Sequence, residues 1–321
     1  MAETRPTELA YEVQDRSILL PHYKRLFIEP TLRFIPRRIS PNAITHAGHL
    51  LNLAALVVLV RGGSPLISAA LLNAYLWADN ADGAHARRTK QTSATGEFLD
   101  HGFDLLNATY VAIMTVIALG APPMWSVAAA VVVPAAAAVT YWEQAETGTF
   151  QLGMFNQIES IACLTVVLVA RAALGPLPAM LGVALLATTT LTALVGIANS
   201  VRRVVRRGGR LMPFVAPLAF GVAIALVTAT GTLGTVPAVA IGAAGFIFLG
   251  VRQLHLRIRK EKPLTEYSVI VAAAFLGAQA LHVPMPYALV GVFAILAFAR
   301  TVTSWALLTR RPVAGGVMRH S

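Results

Sequence analysis

Apolar stretches close to 20 residues long recur from residue 43 to residue 303, and each is long enough to cross a hydrocarbon core about 30 Å thick. Ten can be read between breaks of Gly, Pro and charge: 43–61, 64–82, 98–119, 122–142, 156–172, 177–199, 211–229, 233–251, 264–281 and 284–303. In lipid a backbone must satisfy its own polar groups, and a run of this length does so as a helix. The expected fold class is all-α: a polytopic membrane helix bundle of about ten transmembrane helices. Only 13% of the 321 residues are charged, against roughly 25% in a soluble domain. The single cysteine, Cys163, excludes an intrachain disulfide and reads as a small buried hydrophobe.

Basic residues orient the spans, because Lys and Arg accumulate on the cytosolic side. With both termini cytosolic, 24 of the 26 Lys and Arg fall on that side, and only Arg61 and Arg171 fall outside. The net charge of +11 then reads as topology and contact with anionic headgroups. Nucleic-acid binding would need a soluble basic domain, and none is expected. Residues 1–20 carry Glu3, Glu8, Glu12 and Asp15 without an apolar core, unlike a signal peptide. In PHYKRLFIEPTLRFIPRRISP, apolar and basic residues interleave as in helices lying in the headgroup plane. Ser40 before Pro41 reads as a helix N-cap. Four segments are expected: an interfacial segment 1–42, catalytic helices 43–199, scaffold, dimerisation or lipid-access helices 200–303, and a cytosolic tail 304–321.

Four of the five aspartates lie within DNADGAHARRTKQTSATGEFLDHGFD, residues 79–104. Asp79 and Asp82 would close the second span, and Asp100 and Asp104 would open the third. Spacings of i,i+3 and i,i+4 put each pair on one helix face. The polar RTKQTSAT between them reads as a tight turn, which makes the two helices antiparallel neighbours and lets both pairs converge. Converging carboxylates repel unless cations join them. An all-oxygen donor set selects Mg²⁺ or Mn²⁺, one or two ions, and such ions usually take phosphate oxygens as further ligands. Gly83 leaves room for a ligand near the helix backbone, Arg87 and Arg88 can fork onto phosphate, and Gly96 lets the next helix start close by.

The stretch fits D-x2-D-G-x2-A-R-x8-G-x3-D-x3-D at Asp79, Asp82, Gly83, Ala86, Arg87, Gly96, Asp100 and Asp104. It resembles the signature of the CDP-alcohol phosphotransferases, integral membrane enzymes that move a substituted phosphate from a CDP-linked donor to an alcohol and release CMP. LDHGFDLL at 99–106, TYWEQAETGTFQLGMFNQIES at 140–160 and PNAITHAGHLLNL upstream resemble the choline and ethanolamine phosphotransferase branch. The resemblance implies CDP-choline or CDP-ethanolamine as donor, diacylglycerol as acceptor, Asp79, Asp82, Asp100 and Asp104 as metal ligands, and a homodimer.

The acceptor hydroxyl needs a base. Asp104 is one candidate by family analogy and His101 the other, since a histidine's intrinsic pKa of about 6.5 suits proton removal near neutrality. Asn42 reads as a nucleotide contact or a helix cap. His85 reads as a solvated or phosphate-adjacent group, and His46 and His49 as packed or hydrogen-bonded. Trp142 and Glu143, an aromatic beside an acid, suit a quaternary ammonium, with Glu159 as a further headgroup candidate. Glu146 reads as a surface acid, and Trp77 and Trp305 as interface anchors. Two other readings stand beside this one: a CDP-diacylglycerol-dependent transferase to a soluble alcohol, and a transporter, which the clustering of acids at cytosolic helix ends disfavours. The active site is expected on the cytosolic side, in a bacterial inner membrane or otherwise the endoplasmic reticulum.

Overall fold

In the computed structural model of the protein, residues 12–120, 122–229, 234–259, 284–310 and 319–320 are described. Two short helices open the chain, α1 (Leu20–Tyr23) and α2 (Glu29–Leu32), joined by the π-helical turn Lys24–Ile28. Long helices follow: α3 (Pro41–Val60), α4 (Pro65–Thr89), α5 (Ala94–Leu119), α6 (Pro123–Thr147), α7 (Gln157–Leu174), α8 (Ala179–Arg206), α9 (Met212–Ala229), α10 (Thr235–Arg259) and α11 (Met285–Arg310). They stand where nine of the ten apolar stretches were expected; the stretch 264–281 lies outside the described residues. Seven helices among the described residues are long and apolar enough to cross a membrane. α4 falls short because its last turns carry Asp79, Asp82, Arg87 and Arg88.

The helix ends follow from local chemistry. Ser40 caps α3 by accepting from the Ala43 N–H, with Pro41 at the first position. Ser93 caps α5 by accepting from Gly96, and Gly120 closes it in the left-handed conformation at φ 58°. Asn156 and Glu159 form a reciprocal capping box at the start of α7.

The chain forms two compact units whose boundaries differ from the four expected segments. One holds the described residues up to Gly120, Phe150–Leu186 and the strand Arg319–His320. The other holds Pro122–Thr149 and the described residues from Ala187 to Arg310, so α6 packs with α9 and α10. In that second unit Gly242 of α10 meets Val131 and Gly245 meets the Phe220 ring, each too close for a Cβ. These glycines serve helix contact inside the unit.

In the first unit α3 packs along α4 and α5, and α7 packs on both from elsewhere. α4 and α5 therefore pack mainly on α3 and α7 rather than on each other, unlike the expected neighbouring pair. The core between them holds Leu59, Leu72, Tyr75, Met114, Ile161 and Leu168. Cys163, expected buried, is exposed on α7.

The N-terminal segment folds onto this unit. Ile28 and Ile35 bury against Ile44 of α3 and Ala78 and Ala81 of α4, while Leu26, Phe27 and Phe34 stay exposed, as an interfacial segment requires. Strand β1 (Glu12–Asp15) lies between β2 (Thr149–Leu152) and β3 (Arg319–His320), parallel to β3. α3 reaches α4 most closely at Gly48, where an added Cβ would stand 3.0 Å from that of Ala78. Gly48→Leu is expected to force the helices apart next to Asp79 and to destabilise the protein by about 1–3 kcal/mol. Gly48→Ala should stay near wild type, because its helix propensity offsets the crowding; thermal unfolding in detergent checks both.

Candidate metal centre

The acids come to their places by helix rotation. Residues three apart on a helix differ by about 60° around its axis, so Asp79 and Asp82 do not share one target. Asp79 turns toward α5, where one oxygen from each of Asp79, Asp100 and Asp104 lies within 4.8 Å of the others. All three are partly accessible. Asp82 is buried and turned toward α3, where its carboxylate accepts from the Thr45 hydroxyl and from the Gly83 N–H. The structure thus gathers three of the four expected ligands and gives the fourth its own donors. Tyr75 and Gln157, themselves joined by a 2.6 Å hydrogen bond, border Asp79.

Three carboxylates this close repel one another in a low-dielectric bundle. The donor set is all oxygen and holds no His or Cys, which fits a hard divalent cation and not zinc. Asp79, Asp100 and Asp104 are the residues that would hold it.

Phosphate-binding candidates surround these acids. A Cβ on Gly83 would meet only the Arg87 guanidinium, at 3.5 Å. Arg87 is exposed and makes no hydrogen bond or ion pair among the described residues, so its fork is available to an anion. Ala86, one residue before Arg87, is buried. A Cβ on Gly96 would stand 3.1 Å from Asn42 Oδ1, so this glycine lets the start of α5 meet the start of α3. The Asn42 amide has no partner among the described residues. His101 is buried, with its ring stacked on Phe150 at 5.3 Å and 20°.

Other candidates prove to be structural. Arg88 donates to the Leu32 and Ile35 carbonyls and is spent on holding the N-terminal segment. His85 is fully buried; its Nε2 donates to the Ile39 carbonyl at 2.9 Å and its Nδ1 faces Arg88, which rules out the solvated or phosphate-adjacent reading. Glu159 accepts from the Ser17 hydroxyl at 2.6 Å and the Leu19 N–H at 3.0 Å, so it anchors the same segment and is not open to a headgroup. Glu143 is buried in the second unit with both oxygens on Arg203, one of them at 2.7 Å from Nη2. Trp142 beside it is buried and stacked on Phe214 at 5.1 Å. A cation–π seat needs an open ring face and an uncompensated acid, and this pair offers neither. Glu146, expected at the surface as a free acid, pairs with Arg210 at 3.1 Å. Trp77 donates to the Thr31 hydroxyl at 2.9 Å and so ties α4 to α2, while Trp305 is exposed.

The fold also brings up residues that the sequence reading passed over. Tyr23, the last residue of α1, and Lys24, the first of the π-helical turn, lie near Asp79 and Arg87 respectively. Partial burial and the charge of Asp79 push the Tyr23 phenol up to about 12. Partial burial and then Arg87 lower the Lys24 ammonium pKa, opposed by Asp15. The only signal in the sequence was a Tyr-Lys-Arg run among apolar residues, which reads equally as headgroup contact.

These features define an integral membrane protein with a carboxylate cluster at helix ends. Residues 38–195 match the model of the CDP-alcohol phosphatidyltransferase family. The chain is similar to Cholinephosphotransferase 1 of Danio rerio, with 30% identity over 167 residues, 48% of this chain and 44% of that protein. It is also similar to the Xenopus laevis protein of the same name, 30% over 181 residues (53% and 45%), and to that of Homo sapiens, 29% over 180 residues (52% and 44%). The chain spans less than half the length of these relatives.

Two outcomes follow. Glu143→Ala should lower the melting temperature by leaving Arg203 uncompensated, a loss of about 1–3 kcal/mol, and Glu143→Ala/Arg203→Ala should recover part of it. If Lys24 and Arg87 jointly attract an anionic nucleotide, its affinity should fall as pH rises through the lowered Lys24 pKa, below the usual lysine range. Lys24→Arg should flatten that alkaline limb in a nucleotide-binding titration.

Proposed function

We propose that the chain transfers phosphocholine or phosphoethanolamine from CDP-choline or CDP-ethanolamine to diacylglycerol, with Mg²⁺ or Mn²⁺, and releases CMP. The convergence of Asp79, Asp100 and Asp104 within 4.8 Å, inside the family-matched half, carries the reading. The names of the similar proteins favour choline. The site faces the cytosol, where a water-soluble nucleotide and a membrane lipid can meet.

The hydroxyl oxygen of the lipid forms a new bond to the β-phosphorus, and the bond from that phosphorus to the oxygen of CMP breaks. CMP leaves with the bonding electrons. The hydroxyl proton passes to His101 or to Asp104. Asp79, Asp100 and Asp104 would hold a divalent cation, which would supply neutralising charge for the pyrophosphate and the leaving group. Arg87 adds a fixed positive fork beside Gly83, and Asn42 can donate to the nucleotide from the start of α3. The stack on Phe150 holds the His101 imidazole in one plane.

The family description, phosphatidyltransferase, favours a second reading, in which CDP-diacylglycerol is the donor and a soluble alcohol the acceptor. Purified protein supplied with each labelled CDP-alcohol and candidate acceptors separates the two. CMP release from CDP-choline or CDP-ethanolamine only with diacylglycerol present is expected. Release only from CDP-diacylglycerol selects the second reading. Chelation should abolish turnover and Mg²⁺ restore it. Asp100→Asn should lower kcat by a hundredfold or more, about 3 kcal/mol. His101→Ala should lower kcat by about 10²–10⁴ if the imidazole is the base, and unchanged turnover would leave that role to Asp104.

A further inference from the structure

The seam between α3 and α5 continues inward from the aspartates as a polar ladder. Thr45, His49 and Asn52 follow one another along one face of α3, and Asp100, Asp104 and Asn107 along one face of α5. Asn52 and Asn107 are buried, and His49 is half-buried. The His49 ring stacks on Phe103, the neighbour of Asp104, at 4.2 Å.

The hydrogen bonds in this ladder fix their own polarity. A backbone carbonyl only accepts, so Asn52 turns Nδ2 toward the Asn107 carbonyl at 3.4 Å. The same Nδ2 lies 3.1 Å from Asn107 Oδ1, which therefore accepts. His49 Nδ1 stands 3.2 Å from that oxygen and must donate to it. In the neutral ring Nε2 then carries a lone pair. Among the described residues nothing donates to it. Asn52 Oδ1 is a second buried acceptor without a donor.

Two acceptors left without a donor in one ladder select a ligand that brings O–H or N–H. Diacylglycerol has a single donor, its free hydroxyl, because its ester groups only accept. We infer that, as the lipid acceptor binds, its hydroxyl donates to His49 Nε2, which positions that alcohol beside Asp104 before the proton passes to the base, making His49 an acceptor-specificity residue. The inference rests on the transfer reaction proposed above.

Two substitutions separate this role from a structural one. Asn at position 49 can keep the bond to Asn107 through its amide but has no atom at the place of Nε2. Gln reaches that place with an oxygen. His49→Asn is expected to raise the KM for dioctanoylglycerol by about three- to tenfold, the worth of one neutral hydrogen bond, with the KM for the CDP-alcohol unchanged. His49→Gln should return it toward wild type. Wild-type acceptor KM in His49→Asn, or equal rises for donor and acceptor, overturns the inference. A second measurement needs no turnover. In wild-type protein with ¹⁵N-labelled histidine in detergent, dioctanoylglycerol should shift the His49 Nε2 resonance and leave Nδ1 in its protonated form. Binding of the lipid without a change at Nε2 overturns the role of His49. If wild type releases no CMP with any donor, the transfer reaction fails, and the ring measurement still decides His49.

Discussion

Like charges in an apolar bundle must be either separated or joined by a cation, and the first unit separates one acid and leaves three placed where a cation could join them. Asp82 is turned away to Thr45 and Gly83, which leaves three carboxylates facing one another instead of four. α4 and α5 carry these acids and lean on α3 and α7, not on each other. Close packing of α4 against α5 would press the carboxylates into contact with no space for an ion. The wedge formed by α3 and α7 thus keeps the acids within reach of a common ligand while the apolar core lies elsewhere, around Leu72, Met114 and Ile161.

The α3 helix serves the site at several levels. Its first turn brings Asn42 against Gly96, its second brings Thr45 to Asp82, and Gly48 lets it approach α4 at Ala78. Below that come His49 and Asn52, whose bonds to Asn107 reach α5. A helix that faces two partners with polar groups on one stripe and glycine on another sets the spacing of both.

Much of this was legible in the sequence, and the legible part was local. Ser40 with Pro41, Ser93 with Gly96, and Gly120 mark helix ends through bonds spanning three or four residues. The acid signature is equally compact. What the sequence hid depends on partners far along the chain. Glu143 finds Arg203 60 residues later, and Glu159 finds Ser17 142 residues earlier. Read without those partners, both looked like free acids. Arg88 and His85 looked like groups for phosphate or solvent for the same reason, since their targets are carbonyls and a carbonyl leaves no mark in a residue's identity. The orientation of Asp82 was hidden by the small angular step between it and Asp79. Tyr23 and Lys24 were concealed because a headgroup-facing segment and a segment folded over a site have the same composition.

The grip on the N-terminal segment has a consequence for how this region can change. Arg88 and His85 hold it through the carbonyls of residues 32, 35 and 39. Every amino acid supplies a carbonyl, so the clamp is indifferent to which side chains stand there. The exposed Ile39 can drift with the thickness and composition of the host bilayer while the segment stays fastened, whereas Leu32 and Ile35 are held as well by their packing against α3 and α4. Sequence tolerance and mechanical fixity, usually opposed, coexist in this stretch.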